Sequence, residues 1–175
     1  MGTMKLLVEP GDDPLPYFAE YPYFIWGDVD YDSEGDCERP TDRRWPWLWL
    51  MHRDTEEIIE IGRPEDDPES RYEVTGQDQV SVVSAAYLTA LRTSGRIIEP
   101  GGRRAQELAE VAGRVPDLSQ RLRAADHVAE LFSDPALGPY DSYGWWPYWK
   151  WTERLEALWS PASGMDDAIP GDDSR

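Results

Sequence analysis

The sequence predicts an α+β protein in which an N-terminal antiparallel β-meander is covered by C-terminal helices. Aromatic and β-branched residues form short extended segments within residues 4–75, whereas apolar residues recur at helical spacing from residue 78 onward. Strands followed by helices, without alternating βαβ units, are typical of α+β folds. We therefore expect a meander of four or five strands in a single domain, residues 1–160, and a flexible acidic tail, residues 161–175.

Several segments of the N-terminal half have the composition of strands, namely residues 5–8, 21–26, 45–52, 57–62 and 71–75. Pro22 is expected at the start of its strand or on a sheet edge. In the segment 45–52 both alternating faces are largely apolar, so this strand is predicted to be central. One of its faces is expected to hold Trp45, Trp47, Trp49 and Met51.

Beyond residue 78 the spacing of the apolar residues becomes helical. A first helix is predicted through Val80, Val83 and Tyr87, with Gly95 as its stop. Two more are predicted over residues 103–115 and from Pro116 to about residue 133. A last helix is predicted over residues 145–159, and its wide apolar stripe includes Trp145, Trp146 and Trp149.

The negative charge of the chain is concentrated in its N-terminal half. The formal net charge is −18; residues 1–78 hold 21 acidic against 7 basic residues, and residues 79–160 hold 10 against 9. A concentrated negative field repels nucleic acids and anionic membranes and attracts basic proteins. General acidification, as in a halophile, would spread the acidic residues evenly, and the asymmetry argues against it.

One segment has a carboxylate at every second position: Asp28, Asp30, Asp32, Glu34, Asp36 and Glu38. In an extended chain these six residues, here called the acidic ribbon, would point the same way at intervals of about 6.6–6.8 Å. Such a ribbon can imitate the phosphates of one nucleic-acid strand. The predicted partner-binding site combines the ribbon with a second acidic loop that holds Glu65, Asp66 and Asp67. The alternative is a solvated acidic loop without a partner.

Part of the ribbon also matches a calcium-binding loop. Asp28, Asp30 and Asp32 would take its first, third and fifth positions. Ser33 stands where that loop needs glycine, and Arg39 stands where it needs a bidentate glutamate. We therefore expect no metal requirement and no cofactor.

Sequence signatures of catalysis are scarce. His52 and His127 lie in unrelated contexts, and with the single Cys37 they do not make the usual zinc site. No nucleophile-elbow, zincin or P-loop motif is present. The lone cysteine, the lack of an apolar run of about 18 residues and an N-terminus too short for a signal peptide predict a soluble cytoplasmic protein.

These features favour a non-catalytic acidic inhibitor that binds a basic, nucleic-acid-handling protein, without itself contacting nucleic acid or membrane. A phage inhibitor of restriction or CRISPR machinery would work in this way, as would an immunity protein against a nuclease toxin. Two other classes stay open. One is a small hydrolase or metal-dependent enzyme that uses acidic side chains. The other is a scaffold or homodimer with Trp145, Trp146 and Trp149 as its hydrophobic interface.

Overall fold

The structure, a computed structural model, describes residues 2–27, 31–35, 42–64, 66, 71–99, 101 and 104–133. Its strands are β1 (Met4–Glu9), β2 (Tyr31–Gly35), β3 (Trp47–His52), β4 (Ile58–Gly62), β5 (Tyr72–Gly76), β6 (Arg96–Ile98) and β7 (Ala105–Gln106). Its helices are α1 (Glu20–Ile25), α2 (Gln79–Thr93), α3 (Leu108–Ala112) and α4 (Leu118–Ser133). The predicted α+β class is confirmed, while the predicted last helix and acidic tail lie outside the described residues.

The strands form one antiparallel sheet in the order β2-β3-β4-β5-β1-β6-β7. Strands β2 to β5 form a meander in which β3, β4 and β5 were predicted and β2 was not, and β1 lies beside β5. Because β5 and β6 are both antiparallel to β1, they run parallel to each other and are joined through α2. This split βαβ unit was not predicted. The sheet exceeds the expected four or five strands because β2 lies in a segment predicted only as an acidic ribbon, and because β6 and β7, with three and two residues, are too short for a recognisable pattern.

The core lies between one face of the sheet and α2. Alternate residues of β1, β3, β4 and β5 are buried on this face, among them Leu6, Leu50, Ile59 and Val74. All of residues 81–90 of α2 are buried, because the helix packs on the sheet and is itself covered by α1 and α3. Helix α2 begins as predicted near residue 78, where the Asp78 carboxylate accepts a hydrogen bond from Ser81 N at 2.8 Å.

The predicted strand over residues 21–26 is wrong, since the segment forms α1. Pro22 lies in the first turn of this helix, where its missing N–H leaves no hydrogen bond unmade. Tyr21, Tyr23, Phe24 and Ile25 are all buried, because α1 lies between α2 and α4. Burial on every side of the segment overrides its aromatic β-propensity.

The prediction of a helix over residues 103–115 is wrong in its first part. Residues 105–106 form β7 and pair with Ile97 and Ile98 of β6, so α3 begins only at Leu108. The predicted helix after Pro116 is confirmed as α4. Within the described ranges, none of the helices has the length and apolar character needed to cross a membrane.

A buried ion pair and its neighbours connect the three helices α1, α2 and α4. Glu20 of α1 is 0% exposed, and its carboxylate accepts hydrogen bonds from Arg92 Nε of α2 at 2.8 Å and from Tyr17 N at 2.6 Å. Arg92 Nη2 also donates to the Asp126 carboxylate of α4 at 2.8 Å. Arg121 of α4 donates to the Phe24 carbonyl at the end of α1 at 2.7 Å. These contacts join α1 to α2, and they join α4 to both of these helices.

The Glu20 carboxyl makes stability depend on pH. Burial raises its pKa above the ordinary value of 4.5, against the opposing effects of Arg92 and Tyr17 N. As the pH rises from 4.5 through the folded-state pKa, the unfolded chain loses this proton first, so the free energy of unfolding falls. The substitution Glu20→Gln should remove this contribution. Urea unfolding at a series of pH values from about 4 to 8 should show that wild type loses stability relative to Glu20→Gln as the pH rises above 4.5.

The matched control for this prediction is Glu130→Gln, because Glu130 is exposed on α4. Its pH profile should follow that of wild type. A difference between wild type and Glu20→Gln that stays constant with pH, or a wild type that gains stability relative to the variant as the pH rises, would contradict the account.

Candidate partner-binding surface

The described helices cover one face of the sheet and leave the opposite face accessible. This second face, which we call the open face, carries the outward-pointing residues of β1–β5. Its apolar centre is partly exposed and consists of Trp47, Trp49, Met51 and Ile58, of which Ile58 is 38% exposed. Partly exposed aromatic side chains grouped on one surface are typical of protein-binding sites.

The expectation that Trp45 shares a face with Trp47 and Trp49 is wrong. Trp45 precedes β3 and is 0% exposed, and its Nε1 donates to the Pro16 carbonyl at 3.0 Å. Its ring meets those of Tyr21 and Tyr72 edge-on on the buried side of the sheet. Pro46 separates Trp45 from the strand and interrupts the alternation, so the prediction failed at that residue.

The expectation of a central β3 is also wrong. The strand is second from the edge of the sheet, next to β2. One face, with Leu48 and Leu50, is buried, and the other is open to solvent in part. An aromatic face can therefore indicate a binding surface where strand composition alone suggests burial on both sides.

Two residues of the acidic ribbon, Asp32 and Glu34, lie on the open face. They belong to β2, the edge strand, and pair in register with Met51 and Trp49 of β3. The chain is extended here, as the ribbon hypothesis expects, so the two side chains point the same way about 6.6–6.8 Å apart. The other ribbon residues lie outside the described residues: Asp28, Asp30, Asp36 and Glu38.

The strands that lead into the two acidic segments, β2 and β4, end at the same end of the sheet. Gly35 ends β2 immediately before residues 36–46, and Gly62 ends β4 immediately before residues 63–71. Both glycines lie at the end of the sheet where β3 and β5 begin. Within the second segment Asp66 is exposed, while Glu65 and Asp67 lie outside the described residues.

Three carboxylates of the open face are paired with basic side chains. Asp32 meets Arg53 at 2.7 Å, Glu73 meets Lys5 at 2.9 Å, and Glu9 meets Arg96 at 2.8 Å. These pairs are solvent-exposed, and each basic residue comes from a different strand or turn. Sequence reasoning missed the neighbour of Asp32, because no basic residue occurs within the ribbon itself and Arg53 approaches only through the pairing of β2 with β3.

Two carboxylates of the open face, Glu34 and Glu60, have no basic partner among the described residues. They lie on either side of Trp49, opposite it in register on β2 and β4. Trp47 Nε1 donates a hydrogen bond to Glu60 Oε1 at 2.9 Å. The Trp47 ring lies across Gly62, since a Cβ added there would be 3.0 Å from its Cδ1 atom. A side chain at position 62 would therefore disturb this arrangement.

The residues of the partial calcium match do not form a calcium loop where the structure describes them. Such a loop turns sharply at its sixth position, whereas Ser33 lies in the middle of β2 and pairs with Leu50. Asp32 is engaged by Arg53. Across the described ranges, no group of three histidine, cysteine or acidic residues is arranged to hold a metal ion.

The two histidines have different surroundings. His52 is 8% exposed at the end of β3, where its ring meets Trp26 edge-on at 5.4 Å and Thr55 Oγ1 lies 3.2 Å from its Nδ1. His127 is exposed on α4. The predicted hydrophobic interface, Trp145, Trp146 and Trp149, lies outside the described residues, as does Cys37.

The Asp32–Arg53 pair leads to a prediction about stability. Both side chains are about half exposed, at 47% and 52%, so solvent screens their attraction. A double-mutant cycle of Asp32→Asn and Arg53→Gln, measured by urea unfolding, should give a coupling free energy of at most about 1 kcal/mol. A coupling of several kcal/mol would show that Asp32 serves the fold rather than a binding surface.

Comparison of the chain with protein-family models, with curated proteins and with solved structures finds no match. The functional argument therefore depends on the residues and geometry of the open face.

Proposed function

We propose that the chain is a non-catalytic acidic inhibitor or decoy that binds the basic surface of a nucleic-acid-handling protein. The setting is either phage inhibition of restriction or CRISPR machinery, or immunity against a nuclease toxin. In both, carboxylates occupy the surface that would otherwise hold phosphates. The observation that carries this proposal is the open face, where partly exposed tryptophans adjoin carboxylates without basic partners among the described residues.

The carboxylates and tryptophans of this surface suit the two steps of binding, which are association and the formation of close contacts. A net charge of −18, concentrated in the first 78 residues, steers a basic partner toward this half of the chain and speeds association. Trp47 and Trp49 then supply apolar contact area at the centre of the surface. Central aromatic anchors surrounded by polar residues contribute most of the binding energy in protein interfaces and slow dissociation.

The edge position of β2 adds to this surface. The outer edge of β2 has no strand partner within the described ranges, and Ser33, Glu34 and Gly35 are exposed. Pairing of two β2 strands from two copies of the chain would bring carboxylates together and is disfavoured. The same carboxylates favour a partner whose approaching segment is basic.

Neutralising the acidic ribbon tests this proposal. Asn or Gln at all six ribbon positions should weaken binding to the partner at least about a hundredfold, because the ribbon charges supply the attraction. The partner is first captured from lysate with wild-type protein at low salt, and both proteins are then titrated against it. Wild-type binding should fall steeply between about 50 and 500 mM salt.

The matched control removes six carboxylates elsewhere: Glu107, Glu130, Asp166, Asp167, Asp172 and Asp173. It has the same net charge as the neutralised ribbon and should bind almost as well as wild type. Duplex DNA or RNA should displace the wild-type chain from its partner, since both occupy one surface. Equal binding by the ribbon variant, or a ternary complex with nucleic acid, would contradict the proposal.

A further inference from the structure

We propose that Trp49, with Glu34 and Glu60 on either side of it, forms a subsite for one arginine side chain of the partner. This inference rests on the proposed function, since it assumes a basic partner, and it assigns a specific contact on the open face. The three residues are called the cation subsite below.

Strand pairing determines the geometry of the cation subsite. Trp49 is in register with Glu34 of β2 on one side and with Glu60 of β4 on the other, so the three side chains form a row on one face. The strands that carry the two carboxylates are about 10 Å apart, two strand spacings. A planar cation resting on the indole ring can thus reach a carboxylate at each side.

The distribution of ion pairs singles out this row. Of the five acidic residues on the open face, Asp32, Glu73 and Glu9 are each paired with a basic side chain of the same chain. The remaining two are Glu34 and Glu60, which flank Trp49 and have no basic partner in the described part of the chain. Within the described ranges, this row is therefore the one place on the open face where carboxylates lack a cation.

Glu60 is held in place for such a contact. Its Oε1 atom accepts the hydrogen bond from Trp47 Nε1, which restrains the side chain and leaves Oε2 available as an acceptor. The Trp47 ring is itself placed by Gly62. A carboxylate restrained before binding loses less conformational entropy when the partner arrives.

Arginine fits this row better than lysine. Its guanidinium is planar and stacks on aromatic faces, while its N–H groups point outward in the plane toward acceptors at both edges. A lysine ammonium is compact and strongly hydrated, and it cannot stack and reach both carboxylates in the same way. A second copy of this chain is a poor occupant, because each copy carries a net charge of −18.

The test uses capped octa-arginine and octa-lysine peptides as probes of the full-length, isotope-labelled protein. The Trp49 indole N–H signal is identified as the one missing from the spectrum of Trp49→Leu. Octa-arginine should shift this signal in wild type and bind more tightly than octa-lysine. In Glu34→Gln/Glu60→Gln, octa-arginine affinity should fall at least about tenfold, and in Trp49→Leu the preference for arginine should disappear.

The matched control is Glu107→Gln/Glu130→Gln, which removes two carboxylates on the helical side of the chain. It should bind octa-arginine within about twofold of wild type at the same salt concentration, since long-range attraction is screened. If the two double variants lose affinity equally, or if octa-lysine shifts Trp49 as strongly and binds as tightly, the cation subsite is wrong while the proposed function stands. If neither peptide binds wild type at low salt, the proposed function fails as well.

Discussion

The architecture depends on one constraint: the four described helices cover a single face of the sheet. Helix α2 is buried along residues 81–90 against that face, and α1 and α4 are added behind it through the Glu20–Arg92 ion pair and the Arg92–Asp126 contact. Because strand residues alternate between the faces, burial of Leu48 and Leu50 requires Trp47 and Trp49 to point the other way. The open face follows from how the core is built.

The charge asymmetry of the chain has a structural counterpart. The helical part, residues 79–133, carries acids that serve the fold, such as Asp126 on Arg92. The excess lies in residues 1–78, and the acids that this part of the chain places on the open face are of two kinds. Those paired with Lys5, Arg53 and Arg96 are already neutralised, so they add little attraction for a partner. Those that flank Trp49 have no basic partner among the described residues, which concentrates the attraction beside the aromatic anchor.

The sequence predicted the fold class and the elements whose pattern is long and regular. Helix α2 has an Asp78 cap and a sustained helical period, and β3, β4 and β5 were expected near their observed positions. Segment 21–26 was misassigned because the tertiary burial that makes it a helix leaves no local signal. The strands β6 and β7 are too short to show the alternation of apolar and polar residues that marks a strand. Their pairing depends on contacts distant in sequence.

The candidate site was predictable only in its composition. The alternation of acids indicated an extended ribbon, and Asp32 and Glu34 do lie on an extended strand. Which acids are paired with a basic side chain was not predictable, since Arg53 reaches Asp32 only through the pairing of β2 with β3. Glu60 was not selected at all, because it lies in a segment recognised only as a return strand. Its importance comes from its register opposite Trp49.

The central claim is that the partner binds the open face. Hydroxyl-radical footprinting of the captured complex tests it most directly, because tryptophan, methionine and histidine side chains report their own exposure. The account predicts that oxidation of Trp47, Trp49 and Met51 falls sharply in the complex while that of His127 on α4 is unchanged. Unchanged oxidation of the two tryptophans together with protection of His127 would contradict it, and would move the binding surface to the helical side of the protein.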